Sequence, residues 1–352
     1  KASEGMRIHT MSSYRPYAAL CVFALAFFHA ALNPLTAEVE LRVATLAPSG
    51  SNWMSEMEKS SMEIKDKTNG RVTVKYFPGG QQGDERDYVR KIKLGQLDGA
   101  TVTSVGLSMI DESIRVLELP DMFESAEELD YVADKIWPHF QAKFKAKGFR
   151  LGARGEVGWT YFLSKNKVES LSQLRAQKAW VWGDDVIART LFANLGMNGV
   201  PLGVPEVDAA LTTGKVDMCY GSPLAAVALQ WYTKIKYITS MPLNFSVGAT
   251  VYWEDSINKV TAEDQKTIEE IDRASSKKIR KVARKSNEDA INTMKRRGVA
   301  VVETPAQMVT EFGNHAEQIR TTLTGKAFSK QDLDLVLRYR SDHRIKRGGK
   351  PK

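Results

Sequence analysis

The chain of 352 residues is 43% hydrophobic and 26% charged, proportions that exclude wholesale disorder and predict a globular protein. Its length exceeds that of most single domains, so we expect two. The formal net charge of +8 is concentrated between Lys277 and Arg297, where acids are interleaved, and between Arg338 and Lys352. No RNA-binding or zinc-finger pattern accompanies this charge, which indicates a solvated helix and a basic tail, and we expect no nucleic-acid partner.

An apolar run from Ala18 to Leu32 follows Arg15 and leads to the small residue Ala37. The run is shorter than the ~20 residues that span a membrane, and its flanks are typical of a secretion signal. We therefore predict that residues 1–37 comprise a cloning remnant and a signal peptide cleaved near Ala37. The mature chain would then lie in the periplasm, and Cys21 leaves a lipid anchor open as an alternative.

Hydrophobic periodicity from residue 41 to residue 105 predicts alternating strands and helices. The predicted elements are a strand at 41–46, a helix at 53–64, a strand at 71–77, a helix at 84–94 and a strand at 97–105. This order, β-α-β-α-β, is typical of a doubly wound sheet.

A second series of elements follows after residue 160. It comprises a strand at 161–163, a helix at 171–174, a strand at 179–182, helices at 186–195 and 207–212, and a strand at 216–220. We expect this series to form a second mixed sheet, flanked by helices, in a separate lobe. A cleft between the two lobes is the expected place for a ligand.

The longest predicted helix begins at Thr261, where Asp264 completes a capping-box pattern, and continues to Gly298. A helix of ~36 residues would be ~54 Å long, so we expect it to span both lobes. Residues 341–352, rich in cations and glycine, are predicted to be a disordered basic tail.

The sequence contains none of the usual signatures of an enzyme. Neither a P-loop, nor a dinucleotide-binding glycine pattern, nor a nucleophile elbow occurs. Beyond the predicted signal the histidines are His139, His315 and His343, which are widely separated, and Cys219 is the one remaining cysteine. We therefore predict no catalytic activity, cofactor, metal site or intrachain disulfide.

Several short motifs occur in an order that resembles a known transport family. They are Leu41-Arg-Val-Ala-Thr-Leu-Ala-Pro, Asn69-Gly-Arg-Val, Phe77-Pro-Gly-Gly, Gly95-Gln-Leu-Asp-Gly, Leu117-Glu-Leu-Pro-Asp-Met-Phe, Leu171-Ser-Gln-Leu-Arg and Gly214-Lys-Val-Asp. This set resembles the DctP-like substrate-binding subunit of TRAP transporters, the tripartite ATP-independent periplasmic class, over nearly all of the mature chain.

The resemblance implies a two-lobed α/β periplasmic binding protein that closes on a small molecule and delivers it to TRAP integral membrane subunits. We expect lobe I to comprise residues 38–156 plus 247–285, and lobe II residues 157–246 plus 286–340.

Members of this family usually hold a carboxylate with two arginines, and alignment to their motifs places Trp180 and Trp159 at those positions. Tyr220 and Gly221 stand where the family keeps an asparagine. The sequence is thus expected to represent a divergent subgroup without the clamping arginines. An apolar ligand gains about 25 cal/mol per Å² buried, so ~300 Å² would contribute ~7 kcal/mol before ordering costs.

We therefore expect a hydrophobic or amphipathic ligand, contacted by indole rings whose N–H groups are available to a hydroxyl or carbonyl. By position in the family pattern, lobe I is expected to contribute five further contacts. These are Leu46, Ser49, Glu85, Thr103 and Ser104. Trp182, Trp231 and Trp253 are interpreted as packing residues.

Two alternatives stay open at this point. Lys178 or Arg154, or a bound cation, could replace the missing arginines and hold a conventional organic acid. An adaptor or lipid-shuttling role with a tetratricopeptide-repeat lipoprotein is the other.

Overall fold

The computed structural model describes residues 38–348, so the predicted cloning remnant, signal peptide, cleavage site and Cys21 lie outside the described residues. From Val39 onward the chain forms one unit. Its strands are β1 Val39–Thr45, β2 Val72–Phe77, β3 Gly99–Thr103, β4 Phe149–Ser164, β5 Ala179–Trp182, β6 Gly199–Leu202, β7 Met218–Gly221, β8 Tyr237–Thr239, β9 Asn244–Trp253 and β10 Ala300–Val302.

Helices connect and flank these strands. They are α1 Asn52–Lys67, α2 Glu85–Lys93, α3 Ser104–Ser108, α4 Ala126–Ala146, α5 Leu171–Arg175, α6 Val186–Leu195, α7 Val207–Thr213, α8 Pro223–Ala228, α9 Glu254–Ile257, α10 Ala262–Arg296, α11 Ala306–Leu323 and α12 Lys330–Lys346. Short 3-10 helices occupy Glu112–Glu118, Val204–Glu206 and Trp231–Thr233.

The strands form a mixed sheet in the order β2-β1-β3-β9-β4-β7-β5-β6, with β8 paired to β4 and β10 paired to β8. β1 pairs in parallel with β2 and β3, whereas β9 is antiparallel to β3 and β4. The two expected sheets are joined because β4 pairs with β9 up to Thr160 and with β7 from Tyr161 onward.

Strand β4 is much longer than the strand predicted at 161–163. Its pairing with β9 is irregular between Leu151 and Arg154 and between Glu156 and Gly158, where Gly158 has φ of +111°. Burial alternates along most of the strand, but Arg154, Glu156 and Gly158 occupy buried positions, so the first part of the strand shows no apolar alternation in the sequence.

Helix α10 confirms the long helix that spans both lobes. The Thr261 side chain accepts a hydrogen bond from the Asp264 amide at 3.2 Å, and the helix runs for 35 residues, or about 52 Å. It packs against α1, which flanks the first three strands, and against α8 and β10, which lie with the later strands. The residue limits expected for the two lobes stay a prediction.

The predicted disordered tail is wrong for residues 341–346, which belong to α12. Arg344 lies 12% exposed and donates from Nε to Glu128 Oε1 at 2.5 Å. Glu128 is buried on α4, where an unpaired carboxylate would be destabilising. The ion pair with Glu128 therefore holds Arg344, and with it the end of α12, against the rest of the protein.

We expect Arg344→Ala to lower the free energy of unfolding by about 2 kcal/mol, because it leaves the buried Glu128 carboxylate without its cation. Urea unfolding followed by circular dichroism measures this change. The control Lys346→Ala, on the same helix and exposed, should change stability by less than about 0.5 kcal/mol. Equal effects of the two substitutions would contradict the assigned role of Arg344.

Candidate functional site

A cavity of about 210 Å³ lies where the loop after β1 and helix α1 face strands β5 and β7 and helix α8. Strands β4 and β9 and helix α10 supply the remaining wall. The apolar lining residues are Leu46, Trp53, Met57, Val105, Trp180, Trp182, Val204, Tyr220, Leu229, Trp231 and Ile279. The cavity therefore combines residues from both groups of strands, as expected for an interlobe cleft.

Trp180 is the centre of an aromatic wall. It stacks on Tyr220 with ring centroids 4.9 Å apart and an interplanar angle of 21°, and it meets Trp231 edge-on at 5.5 Å. Trp182 lies two residues further along β5, on the same face, with its ring 6.3 Å away. Each aromatic pair of this kind stabilises the protein by about 0.5–1.5 kcal/mol in addition to the stabilisation from its buried apolar surface.

The indole N–H of Trp180, expected from the sequence to be available to a ligand, is bonded to the protein, and so is that of Trp182. Trp180 Nε1 donates to the Leu202 carbonyl at 2.9 Å, and Trp182 Nε1 donates to Asp84 Oδ2 at 2.7 Å. Trp180 is also 98% buried by its neighbours. These tryptophans thus offer ring surface, and the contacts that they provide are apolar.

The predicted contact residues divide into two groups. Six of the nine line the cavity, and three do not. The lining residues are Leu46, Glu85, Thr103, Trp180, Tyr220 and Gly221. The residues that the structure places elsewhere are Ser49, Ser104 and Trp159.

Trp159 packs edge-on against Phe245, with ring centroids 5.0 Å apart. The next residue along β4, Thr160, lines the cavity instead, because neighbouring residues of a strand point to opposite faces. Ser49 is exposed, and the Ser104 hydroxyl is fully buried as an acceptor for Arg115.

Three of the four tryptophans that line the cavity were not predicted as ligand contacts from the sequence. Trp53, Trp182 and Trp231 all line the cavity, and the alternation of β5 was a signal that could have identified Trp182. Trp253, also interpreted as a packing residue, lies edge-on against Phe149 with ring centroids 4.9 Å apart.

Neither cation proposed as a substitute clamp lines the cavity. Lys178 precedes β5, is exposed, and donates weakly to the Gly214 carbonyl at 3.4 Å. Arg154 is buried, donates to Asp130 and lies behind the cavity wall. Among residues 38–348, no lysine, arginine or histidine lines this cavity.

Glu85 is a buried acid in the wall, only 1% exposed. It accepts hydrogen bonds from the Thr103 amide at 2.7 Å, the Thr103 hydroxyl at 2.9 Å and the Gly106 amide at 2.7 Å. Burial raises the pKa of Glu85 to about 8 despite these three donors. Its side chain is therefore not the solvated first-turn acid that its position at the start of α2 suggested.

Asp272 lies on α10, between the cavity and a second, larger one behind it. It accepts a hydrogen bond from the Ala153 amide at 2.5 Å. The surrounding protein raises the pKa of Asp272 to about 6, because removal of water disfavours the charged form.

The family model of the bacterial extracellular solute-binding proteins of family 7, named DctP, matches residues 43–324. The chain belongs to this family. The resemblance found in the motifs is thereby confirmed at the family level, and the family comprises solute-binding receptors rather than enzymes.

Relatives of this DctP family member are distant in sequence. An uncharacterised protein, YiiZ, of Salmonella typhimurium is 27% identical over 222 residues, covering 60% of this chain and 66%, just under two thirds, of that one. A solute-binding protein of Verminephrobacter eiseniae is 23% identical over 304 residues, covering 81% of this chain and 90% of that one.

Solved structures confirm the two-lobed α/β fold of the DctP family member. A TRAP periplasmic solute-binding protein of Xanthobacter autotrophicus, with bound β-D-galacturonate, matches with a TM-score of 0.80 at 20% identity, over 85% of this chain and 99% of that one. The sugar acid binding protein DctPAm of Advenella mimigardefordensis, in complex with galactonate, matches with a TM-score of 0.82 at 19% identity, over 87% and 99%. A TRAP periplasmic solute-binding protein of Desulfovibrio salexigens, with bound orotic acid, matches with a TM-score of 0.79 at 19% identity, over 86% of this chain and 97% of that one.

Within residues 38–348, no helix is both long enough and apolar enough to cross a membrane. In the same part of the chain, no three His, Cys, Asp or Glu side chains are grouped so that they could hold a metal ion.

The raised pKa of Glu85 predicts how this DctP family member responds to pH. The folded carboxyl keeps its proton up to about pH 8, whereas the unfolded one releases it near 4.5. Below pH 4.5 Glu85 makes its full contribution to the free energy of unfolding. This contribution is lost as the pH rises toward 8, because the unfolded state then binds fewer protons than the folded state.

We therefore expect the free energy of unfolding of the native protein to fall relative to that of Glu85→Gln between pH 5 and pH 9. The expected relative change is on the order of 3 kcal/mol. Urea unfolding of both proteins at pH 5, 7 and 9 measures it. Curves that stay parallel across this range would contradict a protonated Glu85.

Proposed function

We propose that this DctP family member is the periplasmic receptor of a TRAP transporter and captures a hydrophobic or amphipathic small molecule in the cavity between its lobes. Delivery would be to TRAP integral membrane subunits. The observation that carries the ligand class is the cavity wall, which combines four tryptophans and Tyr220 with no lysine, arginine or histidine among residues 38–348.

An organic acid fits this wall poorly. A charge-assisted hydrogen bond to a carboxylate is worth about 1.5–3 kcal/mol, and a carboxylate placed here would find none of the usual cations. Arg115 is a buried cation that pairs with two residues of the wall, donating to Glu118 at 2.8 Å and to Asp185 at 2.5 Å. Binding an acid would require these pairs to separate within a buried site.

The alternative of a conventional organic acid held by Lys178 or Arg154 is therefore disfavoured by the positions of both side chains. The sugar acids and orotate bound in the solved structures belong to those proteins. The tetratricopeptide-repeat partner stays a prediction from sequence that no contact in residues 38–348 addresses.

The ligand class is tested by extracting the purified protein with organic solvent and identifying co-purified molecules by mass spectrometry. We expect a molecule with a substantial apolar body. In tryptophan fluorescence titrations of the extracted protein, 1-octanol should quench the cavity tryptophans, whereas D-glucuronate should not. Recovery of a short organic acid, together with its tight rebinding, would refute the proposed ligand class.

Leu229→Ala should weaken the binding of 1-octanol about fivefold, because it removes apolar surface worth roughly 1 kcal/mol from the cavity wall. The matched control is Leu94→Ala, since Leu94 is 62% exposed and lies outside the cavity. Isothermal titration calorimetry measures both affinities. A loss that is equal in the two variants would place the binding site elsewhere.

A further inference from the structure

The Asp, Glu, Lys, Arg and His side chains that line the cavity all belong to one class. Within the part of the chain that the structure describes they are five acids and no base. These acids are Glu85, Glu118, Glu156, Asp185 and Asp272.

Three of the five carboxylates form ion pairs with two protein cations. Glu118 and Asp185 share the buried guanidinium of Arg115, at 2.8 Å and 2.5 Å. Glu156 accepts two hydrogen bonds from Arg284, each at 2.8 Å. Arg115 thus faces two carboxylates with a single positive charge, whereas Glu156 has Arg284 as its partner.

Glu85 and Asp272 differ, because neither forms an ion pair with any cation among residues 38–348. The three donors on Glu85 are neutral, and two of them occupy one carboxylate oxygen while the third occupies the other. A carboxylate that is surrounded by donors favours ionisation, but burial without a cation opposes it. Both acids therefore lack a counter-charge that a ligand could supply.

We propose that the solute is an amphipathic organic cation, an amine or quaternary ammonium on an apolar body, with Glu85 and Asp272 as its counter-charges and the aromatic wall against its apolar part. This inference rests on the proposed function and narrows its ligand class. Indole and phenol faces attract cations as well as apolar groups, which makes the wall around Trp180 compatible with both parts of such a molecule.

Binding of a cation should release protons from the wall. Burial holds the pKa of Glu85 at about 8 and that of Asp272 at about 6 in the empty protein. The charged or titratable groups that act on Glu85 are Asp84, Tyr88 and Arg115, and those that act on Asp272 are Tyr76, Tyr252, Glu269 and Arg273. A positive ligand lowers both pKa values, so its affinity should increase as the pH rises.

The test compares three probes with the same chain and different head groups, namely octylammonium, 1-octanol and octanoate, by isothermal titration calorimetry at pH 7.5. We expect octylammonium to bind at least tenfold more tightly than 1-octanol, and octanoate to bind more weakly than either. Octylammonium affinity should rise at least fivefold from pH 5.5 to pH 8.5, with proton release seen as a dependence of the heat on the buffer.

The outcomes separate this inference from the proposed function. Equal affinities for octylammonium and 1-octanol would refute the proposal of a cationic solute and would still agree with the proposed apolar ligand. Tightest binding of octanoate, or no binding of any probe, would overturn both.

Two variants locate the counter-charges. Glu85→Gln and Asp272→Asn should each reduce the preference for octylammonium over 1-octanol at least fivefold and flatten its pH dependence. Their affinity for 1-octanol reports whether the cavity is still folded. The control Asp289→Asn lies on the same helix as Asp272, pairs with Lys285 on the surface, and should keep the native preference. An unchanged preference in both cavity variants would overturn the assignment.

Discussion

The buried guanidinium of Arg115 is the interaction on which the binding cavity most depends. It is 1% exposed and joins Glu118, whose carboxylate also accepts the Val247 amide of β9 at 2.6 Å, to Asp185, which caps helix α6. One cation thus ties together segments that are far apart in the chain. Because its donors are directed at protein carboxylates, it holds the fold together and leaves no positive charge at the cavity surface.

Strand β4 determines where the cavity lies. The strand leaves β9 and meets β7 between Thr160 and Tyr161, so both groups of strands come together at that point. Helix α10 covers the other side and brings Asp272 to the wall. The cavity is therefore a consequence of one strand serving two groups of strands, and its chemistry combines aromatic surface with acids that are only partly neutralised.

Much of the fold could be predicted from the sequence, because strands β1, β2 and β5 and helices α1, α6 and α10 have regular apolar spacing and clear caps. Strand β4 was largely missed, since Arg154, Glu156 and Gly158 occupy buried positions where a strand pattern would show apolar residues. Residues 341–346 were wrongly expected to be disordered, because the partner of Arg344 is Glu128, more than two hundred positions earlier. Local composition carries no information about such a distant pair.

The sequence by itself determined the order of many elements, the long helix and the family. Only the tertiary structure decided that Thr160 faces the cavity while Trp159 does not, and that the N–H groups of Trp180 and Trp182 are used by the protein. It also decided that Glu85 is buried without a cation partner among residues 38–348. The physical reason is that periodicity depends on neighbours along the chain. The direction, burial and ionisation of a side chain depend on groups that the fold brings from elsewhere.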